Sequence, residues 1–169
     1  MKEVTHSSLF VFFYALMMIL PAEAHSSWQV KKDPSMEHLK DSIEQCKQAA
    51  FKYASQGKLE EARKLFHKGL SYKRRTYPED HPKIANSYGN LGVTYKKQGK
   101  LDKAMEFYQK VEKIYRNTPD VSPRKTGTIY QNMANIYNKQ RDYEKANNYY
   151  HRALKLFRKD SLDNLDRMG

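Results

Sequence analysis

The fold is decided by two stretches of sequence that lie 42 residues apart, YASQGKL at residues 53–59 and YKKQGKL at residues 95–101. A third version, YNKQRDY, follows after the same interval at residues 137–143, with Arg141 where the first two copies have glycine. Three alanines keep the same register: Ala62, Ala104 and Ala146. Repetition at a fixed period of about 20–50 residues is typical of folds built from stacked, similar units.

Each copy has the pattern of a helical hairpin. In the first copy, apolar residues recur every three or four positions on both sides of residues 56–58, which is the period of one helix face. Gly57 is suited to the left-handed turn that ends a helix. Asp33-Pro34, Pro82 and Ser122-Pro123 are typical helix beginnings. No segment shows the two-residue alternation of a strand, so the sequence predicts an all-α fold of six helices in three antiparallel pairs.

The first helix of each pair resembles helix A of the tetratricopeptide repeat (TPR). The family pattern, aromatic-x-x-Leu-Gly/Ala-x-x-Tyr, is matched by YGNLGVTY at residues 88–95 and by YQNMANIY at residues 130–137, and least well by CKQAAFKY at residues 46–53. The usual period is about 34 residues, and the longer period here resembles the subclass found in kinesin light chains. The resemblance covers roughly residues 40–158. It implies a right-handed superhelical α-solenoid of three helix-turn-helix repeats.

The first 24 residues have a different character. Residues 9–20 form an unbroken apolar run, shorter than the roughly 20 residues that span a bilayer. Pro21 ends the run, and Ala22-Glu-Ala24 has the small-x-small pattern of a cleavage site. We predict a secretory signal peptide cleaved after Ala24, and a mature chain that is extracellular, or periplasmic if the source is bacterial. The alternative is an uncleaved signal anchor that tethers the chain to a membrane.

The predicted organisation follows from these patterns. It comprises a signal peptide at residues 1–24, an N-terminal spacer at 25–34, a TPR domain at 35–158 and a short tail at 159–169. The three repeats occupy about residues 40–77, 82–116 and 123–158. The tail offers roughly one helical turn of cover, so we expect the last pair to expose an apolar patch for self-association or docking. Its predicted members are Tyr149, Leu156 and Phe157.

No residue pattern indicates catalysis. None of the six histidines has a second histidine three or four positions away, and no glycine-rich phosphate loop is present. His81 stands at a helix start, where a capping role is favoured. Cys46 falls in a core column, and a lone cysteine excludes a disulfide framework. We therefore expect a chain that is not an enzyme and holds neither cofactor nor metal.

The chain is strongly basic. It has 31 Lys and Arg residues against 19 Asp and Glu residues, a net charge of +12. Two interpretations remain open, namely solvated helix faces and a surface that binds polyanions. Nucleic acid is not expected as a partner of an exported chain.

The TPR resemblance implies that the first helices of the pairs line a concave groove. The predicted groove residues are Lys47, Phe51, Asn86, Asn90, Val93, Lys97, Gln131, Asn132, Asn135 and Lys139. Asn90 and Asn132 occupy the column where the family often uses Asn to hold a peptide backbone, since an amide both donates and accepts hydrogen bonds. The alternative is that these amides bridge neighbouring helices.

The predicted function is therefore a secreted or envelope-located interaction module, an adaptor or scaffold. It would bind an extended peptide or partner protein in the groove, with some preference for acidic groups. A basic surface protein that binds polyanions and an accessory subunit of a secreted or cell-envelope assembly are the alternatives.

Overall fold

The computed structural model of the chain describes residues 34–166. The chain divides into two compact units, residues 1–37 and 38–169. Of the first unit only residues 34–37 are described, and they form the first turn of a helix. The predicted signal peptide at residues 1–24, and the spacer up to residue 33, lie outside the described residues.

The described residues fold into six α-helices and contain no strand. In chain order the helices are α1 (Pro34–Ser55), α2 (Leu59–Arg74), α3 (Pro82–Lys97), α4 (Leu101–Arg116), α5 (Pro123–Lys139) and α6 (Tyr143–Asp166). The first pair is α1 with α2, which meet through Phe51 and Phe66 and through Cys46 and Gly69. The other pairs are α3 with α4 and α5 with α6. In addition, α3 packs against α2, and α5 packs against α4 and α3. The predicted all-α solenoid of three helical hairpins is confirmed. No helix among the described residues is both long enough and apolar enough to cross a membrane.

The three turns inside the hairpins share one backbone geometry. Gly57 and Gly99 have φ of 75°, in the left-handed region that glycine adopts without a steric penalty. Arg141 adopts the same conformation with φ of 63°, which costs an L-residue about 1–2 kcal/mol. The same hydrogen bond closes each turn, as when the amide of Lys58 donates to the carbonyl of Tyr53 at 3.0 Å. The repeated sequence therefore produces a repeated turn, even where glycine is replaced.

The start of α3 explains the Asp-His-Pro sequence before it. His81 precedes the helix in an extended conformation, and its Nδ1 accepts a hydrogen bond from the amide of Lys83 at 3.0 Å. Pro82 then occupies the first helical position, where its missing N–H has no partner to lose. The predicted capping role of His81 is confirmed.

Burial is greatest in the middle of the stack. The aromatic column four residues after the shared alanine shows this, with exposures of 6% for Phe66, 0% for Tyr108 and 37% for Tyr150. Tyr53, which the pattern places on a core face, is exposed. Both exposed tyrosines belong to the first and last hairpins of the described residues, each of which packs against one other described hairpin. Cys46 is buried, as predicted.

The prediction for the end of the stack is wrong in its residues. Tyr149, Leu156 and Phe157 are half-buried, and Tyr149 and Phe157 contact α5. A Cβ at Gly127 of α5 would lie 2.8 Å from the ring of Phe157, and the ring of Tyr149 lies 5.4 Å from that of Tyr137. The large apolar side chains of α6 that remain exposed are Tyr143, Tyr150, Leu154, Leu162 and Leu165.

The last helix also extends through most of the predicted tail. It continues without a break from Tyr143 to Asp166. The carboxylate of Asp160 is buried against the start of α5, where it accepts hydrogen bonds from the amide of Arg124 at 3.3 Å and from its guanidinium at 3.1 Å. Asn164 donates to the same carboxylate at 3.3 Å. This contact holds the additional turns of α6 against the third hairpin.

Candidate functional site

A cavity of about 300 Å³ opens between α3 and α5. Each helix contributes side chains spaced by three or four residues, so each presents a single face to the cavity. We call this surface the α3–α5 groove. The contributions are Ala85, Asn86, Gly89, Asn90 and Val93 from α3, Tyr108 and Tyr115 from α4, and Lys125, Thr128, Ile129 and Asn132 from α5. Four predicted residues, Asn86, Asn90, Val93 and Asn132, are thus brought together.

Two of the asparagines in the groove are held in place by other side chains. The hydroxyl of Tyr115 donates to Oδ1 of Asn86 at 3.1 Å. The ammonium of Lys96 donates to Oδ1 of Asn132 at 2.6 Å and so links α3 to α5. For Asn132, bridging of neighbouring helices is therefore the role that the structure shows. In both residues the oxygen is engaged, which leaves the NH₂ group as a donor.

Asn90 is different. Its side chain is half-buried and has no hydrogen-bond partner within residues 34–166. It lines the α3–α5 groove and also a smaller cavity next to α2, together with Lys47, Lys73 and Ser87. An amide with free donors and a free acceptor, between two cavities, is a group that a ligand can use.

Lysines surround this part of the surface. The pKa of Lys73 is lowered by burial and by the charge of Lys47, and its ammonium donates to Oγ of Ser87 at 2.8 Å. Lys47 pairs with Glu44 at 2.7 Å. The pKa of Lys96 is lowered by burial and by the charges of Lys139 and Lys97. An anion bound near Lys73 or Lys96 would offset the repulsion between that lysine and its lysine neighbours.

The remaining predicted residues do not line the groove. Phe51 is half exposed, with its ring edge-on to that of Phe66 at 5.2 Å. Gln131 is exposed. Asn135 accepts a hydrogen bond from the hydroxyl of Tyr150 at 2.6 Å. The charges of Lys139 and Lys97 lower the pKa of Lys96, which donates a hydrogen bond to Asn132.

Sequence reasoning missed one residue at the floor of the groove. Tyr108 is fully buried, and its hydroxyl has no hydrogen-bond partner among the described residues. Burial raises the pKa of this hydroxyl, which therefore stays protonated. In the sequence, Tyr108 belongs to an aromatic column of the repeat with Phe66 and Tyr150. Phe66 lacks the hydroxyl that the two tyrosines carry. Nothing in that column distinguishes a paired hydroxyl from an unpaired one.

Many cations on the other faces of the solenoid are engaged with tyrosine rings. The guanidinium of Arg152 lies 4.1 Å from the ring centre of Tyr130 and donates to Glu112 at 3.3 Å. The ammonium of Lys83 lies 4.5 Å from the ring centre of Tyr77. Such contacts explain part of the positive charge as helix-surface packing. Within residues 34–166, no group of three or more His, Cys, Asp and Glu side chains could hold a metal ion.

Comparisons with known proteins agree with this architecture. Two family models, both described as tetratricopeptide repeat, match residues 38–117 and residues 126–159. A comparison with curated proteins finds no match. Similar solved structures do exist, and at their low identities they show the fold alone.

Three of these structures illustrate the similarity. BtubC (BKLC) from P. vanneervenii is 22% identical, with 78% of this chain and 59% of that chain covered and a TM-score of 0.57. The TPR domain of Arabidopsis FLU is 20% identical, with 72% and 99% covered and a TM-score of 0.63. The nearly identical TPR-like repeats of a putative kinesin light chain from Podosopora anserina are 20% identical, with 70% and 55% covered and a TM-score of 0.58. This chain thus spans little more than half the length of the first and third of these proteins.

Proposed function

The chain belongs to the tetratricopeptide repeat family, and we propose that it is a non-enzymatic adaptor that binds an extended peptide of a partner protein in the α3–α5 groove. TPR chains are generally interaction modules, and this chain has the repeats of one. The observation that carries the proposal is the Asn90 side chain, half-buried in the groove wall without a hydrogen-bond partner among the described residues.

The polar groups of the groove match the hydrogen-bonding groups of a peptide main chain. An extended backbone presents N–H donors and C=O acceptors, and the amide of Asn90 can satisfy one of each. The NH₂ groups of Asn86 and Asn132 add donors, because their oxygens are already engaged. Val93 and Ile129 supply apolar wall between the amides. These contacts do not depend on the sequence of the bound peptide.

The lysines favour an acidic partner. Lys73 and Lys96 are both partly buried beside other lysines, which lowers their pKa values. Carboxylates of a bound peptide would offset that repulsion and would speed association. We place this partner outside the cytoplasm, secreted or at the cell envelope, on the strength of the signal-peptide pattern at residues 1–24.

A random-peptide library tests the proposal. The chain should retain a subset of peptides, and Asn90→Ala should weaken their binding by about 2- to 10-fold, the net contribution of one or two neutral hydrogen bonds. The matched control is Asn148→Ala, which removes an exposed asparagine of α6 far along the chain from the groove. Equal retention by both variants would contradict the groove assignment. Binding that is lost steeply between about 50 and 200 mM salt would favour polyanion binding instead.

A further inference from the structure

Charge is distributed in the same way on the two helices that form the walls of the α3–α5 groove. Neither α3, at residues 82–97, nor α5, at residues 123–139, contains Asp or Glu. The basic residues of both helices lie only in the first and last turns. They are Lys83, Lys96 and Lys97 in α3, and Arg124, Lys125 and Lys139 in α5. The walls are therefore positive at both ends and uncharged between them.

The last turns of the two helices lie side by side. Lys96, next to the last residue of α3, donates a hydrogen bond to Asn132 in the second half of α5. Burial and the charges of Lys139 and Lys97 lower the pKa of Lys96, so the final residues of both helices are close together. The helices therefore run in the same direction, and Lys125 lies at the opposite end of the groove from this lysine cluster.

The lysines at the two ends are on the faces that form the groove and are free to bind a ligand. Lys125, Asn132 and Lys139 recur every seven residues, so they share one face of α5, and the first two line the cavity. Lys97 follows Val93 of the cavity wall by four residues and shares its face of α3. Lys97, Lys125 and Lys139 are exposed, and their side chains have no hydrogen bond or ion pair within residues 34–166.

The acidic side chains that follow these helix ends in the chain are engaged with other residues. Asp102 accepts a hydrogen bond from the side chain of Gln140 at 3.2 Å. Asp142 pairs with Lys145 at 2.7 Å. Ion pairs to these two carboxylates therefore do not neutralise the lysine cluster.

We propose that the peptide bound in the α3–α5 groove carries two acidic side chains six residues apart, one paired with Lys125 and the other with Lys97 and Lys139. This inference rests on the proposed function, since it requires an extended peptide in that groove. It adds a spacing that the partner's acidic residues must have, where the proposed function requires only that the partner be acidic.

The spacing follows from the geometry of helices and extended chains. Lys125 and Lys139 are 14 residues apart, which corresponds to about 21 Å along α5 at a rise of about 1.5 Å per residue. An extended peptide rises about 3.3 Å per residue, so about six residues cover the same distance. Successive side chains of an extended chain point to opposite sides, so two residues separated by six point to the same side. Both acidic side chains can therefore face the groove at once.

The uncharged middle of the groove favours this pattern over a central acidic cluster. Between the two ends a peptide meets the amides of Asn86, Asn90 and Asn132 and the side chain of Val93. A carboxylate held there would lose part of its hydration and would form no ion pair with the uncharged middle residues of α3 and α5. The groove therefore selects for the positions of the acidic residues and not only for their number.

The test compares two nonapeptides that have the same composition and net charge. In acetyl-SESASASES-amide the two glutamates are six residues apart, and in acetyl-SASESESAS-amide they are two apart. Each peptide is titrated into the isotope-labelled full chain and followed by NMR at about 50 mM salt, where screening of exposed charges is modest. We expect both peptides to shift the signals of Gly89 and Asn90. The first should bind about 2- to 5-fold more tightly, which is the contribution of an additional exposed ion pair.

Variants of the chain identify the lysines that produce the preference. Lys125→Gln removes the cation at one end, and Lys155→Gln is its matched control, because it removes an exposed lysine of α6 and changes the net charge equally. The double variant Lys97→Gln, Lys139→Gln removes two cations at the other end. Because all these side chains are exposed, the variants should keep the unfolding midpoint of the wild-type chain. The preference for the six-residue spacing should disappear in both groove variants and persist in Lys155→Gln.

The outcomes separate this inference from the proposed function. A preference for the six-residue spacing that is lost in both groove variants supports the inference. If the wild-type chain lacks this preference, or if the preference survives in either groove variant, the spacing is overturned while the groove still binds a main chain. If neither peptide shifts a groove signal, the spacing is likewise overturned, and the proposed function then depends on the library experiment alone.

Discussion

Two glycines of α3, three residues apart, should respond to alanine in opposite ways. Replacing a helical glycine by alanine stabilises a helix by about 0.5–1 kcal/mol. At Gly89 the new Cβ would meet no atom within 4 Å, so Gly89→Ala should gain this amount. At Gly92 the new Cβ would lie 2.6, 2.9 and 3.0 Å from three ring atoms of Tyr108. That ring is 0% exposed, so moving it away from the new Cβ would disturb the packing around it.

At Gly92 the cost of overpacking opposes the gain in helix stability, and the larger of the two decides whether Gly92→Ala stabilises or destabilises the chain. Overpacking of a close-packed core costs about 1–3 kcal/mol, which exceeds the helix gain over most of that range. We therefore expect the unfolding free energy of Gly92→Ala to lie about 1–3 kcal/mol below that of Gly89→Ala. Urea unfolding followed by circular dichroism measures both, with an unchanged m-value showing that the two states stay comparable.

A double-mutant cycle tests whether the contact between residue 92 and the ring of Tyr108 causes the loss of stability. If the ring of Tyr108 is the obstacle, Gly92→Ala should lose its penalty in a Tyr108→Ala background. The reasoning is refuted if Gly92→Ala is as stable as Gly89→Ala, or if its penalty persists without the ring. Either result would mean that α3 and α4 do not meet as described.

Three further predictions concern other parts of the chain. Ala104→Leu should cost about 1–3 kcal/mol in thermal or urea unfolding, because Ala104 is fully buried where the helices meet. The hydrogen bond from Arg63 lowers the pKa of Glu60 to about 2, so its contribution to stability is complete above about pH 4.5 and lost as the pH falls toward 2. Unfolding of Glu60→Gln should accordingly depend less on pH across that window than unfolding of the wild-type chain. Finally, mass spectrometry of exported protein should find His25 at the N-terminus, and an intact Met1 would contradict the signal-peptide prediction.

The fold could be predicted because the turn residues and the shared alanines recur with the same period. The turns at residues 56–58, 98–100 and 140–142 recur every 42 residues, and the three shared alanines are all buried. The pattern does not show whether a residue lies in the middle of the stack or at its end. Tyr53 and Tyr150 are exposed although their columns indicate a core face, because a column specifies which side of a helix faces inward and not whether a neighbouring hairpin covers it.

Part of the groove lining could be predicted for a related reason. The family spacing placed Asn86, Asn90 and Val93 on one face of α3, and the structure lines the groove with them. Which amides were already engaged could not be foreseen. The bond from Lys96 to Asn132 joins side chains 36 residues apart on different hairpins, and helix periodicity carries no information about such a pair. Helix periodicity likewise does not show whether the buried hydroxyl of Tyr108 has a hydrogen-bond partner.

The position of the groove across two hairpins has a consequence for how the stack opens. In a repeat protein each hairpin is stabilised by its neighbours, so a terminal hairpin opens at lower free energy than one held on both sides. The α5–α6 hairpin is terminal in the described stack and supplies one whole wall of the groove. Any ligand that contacts both α3 and α5 acts as a second neighbour for that hairpin. Occupancy of the groove would therefore slow amide hydrogen exchange throughout α6, including turns that no ligand in the groove touches.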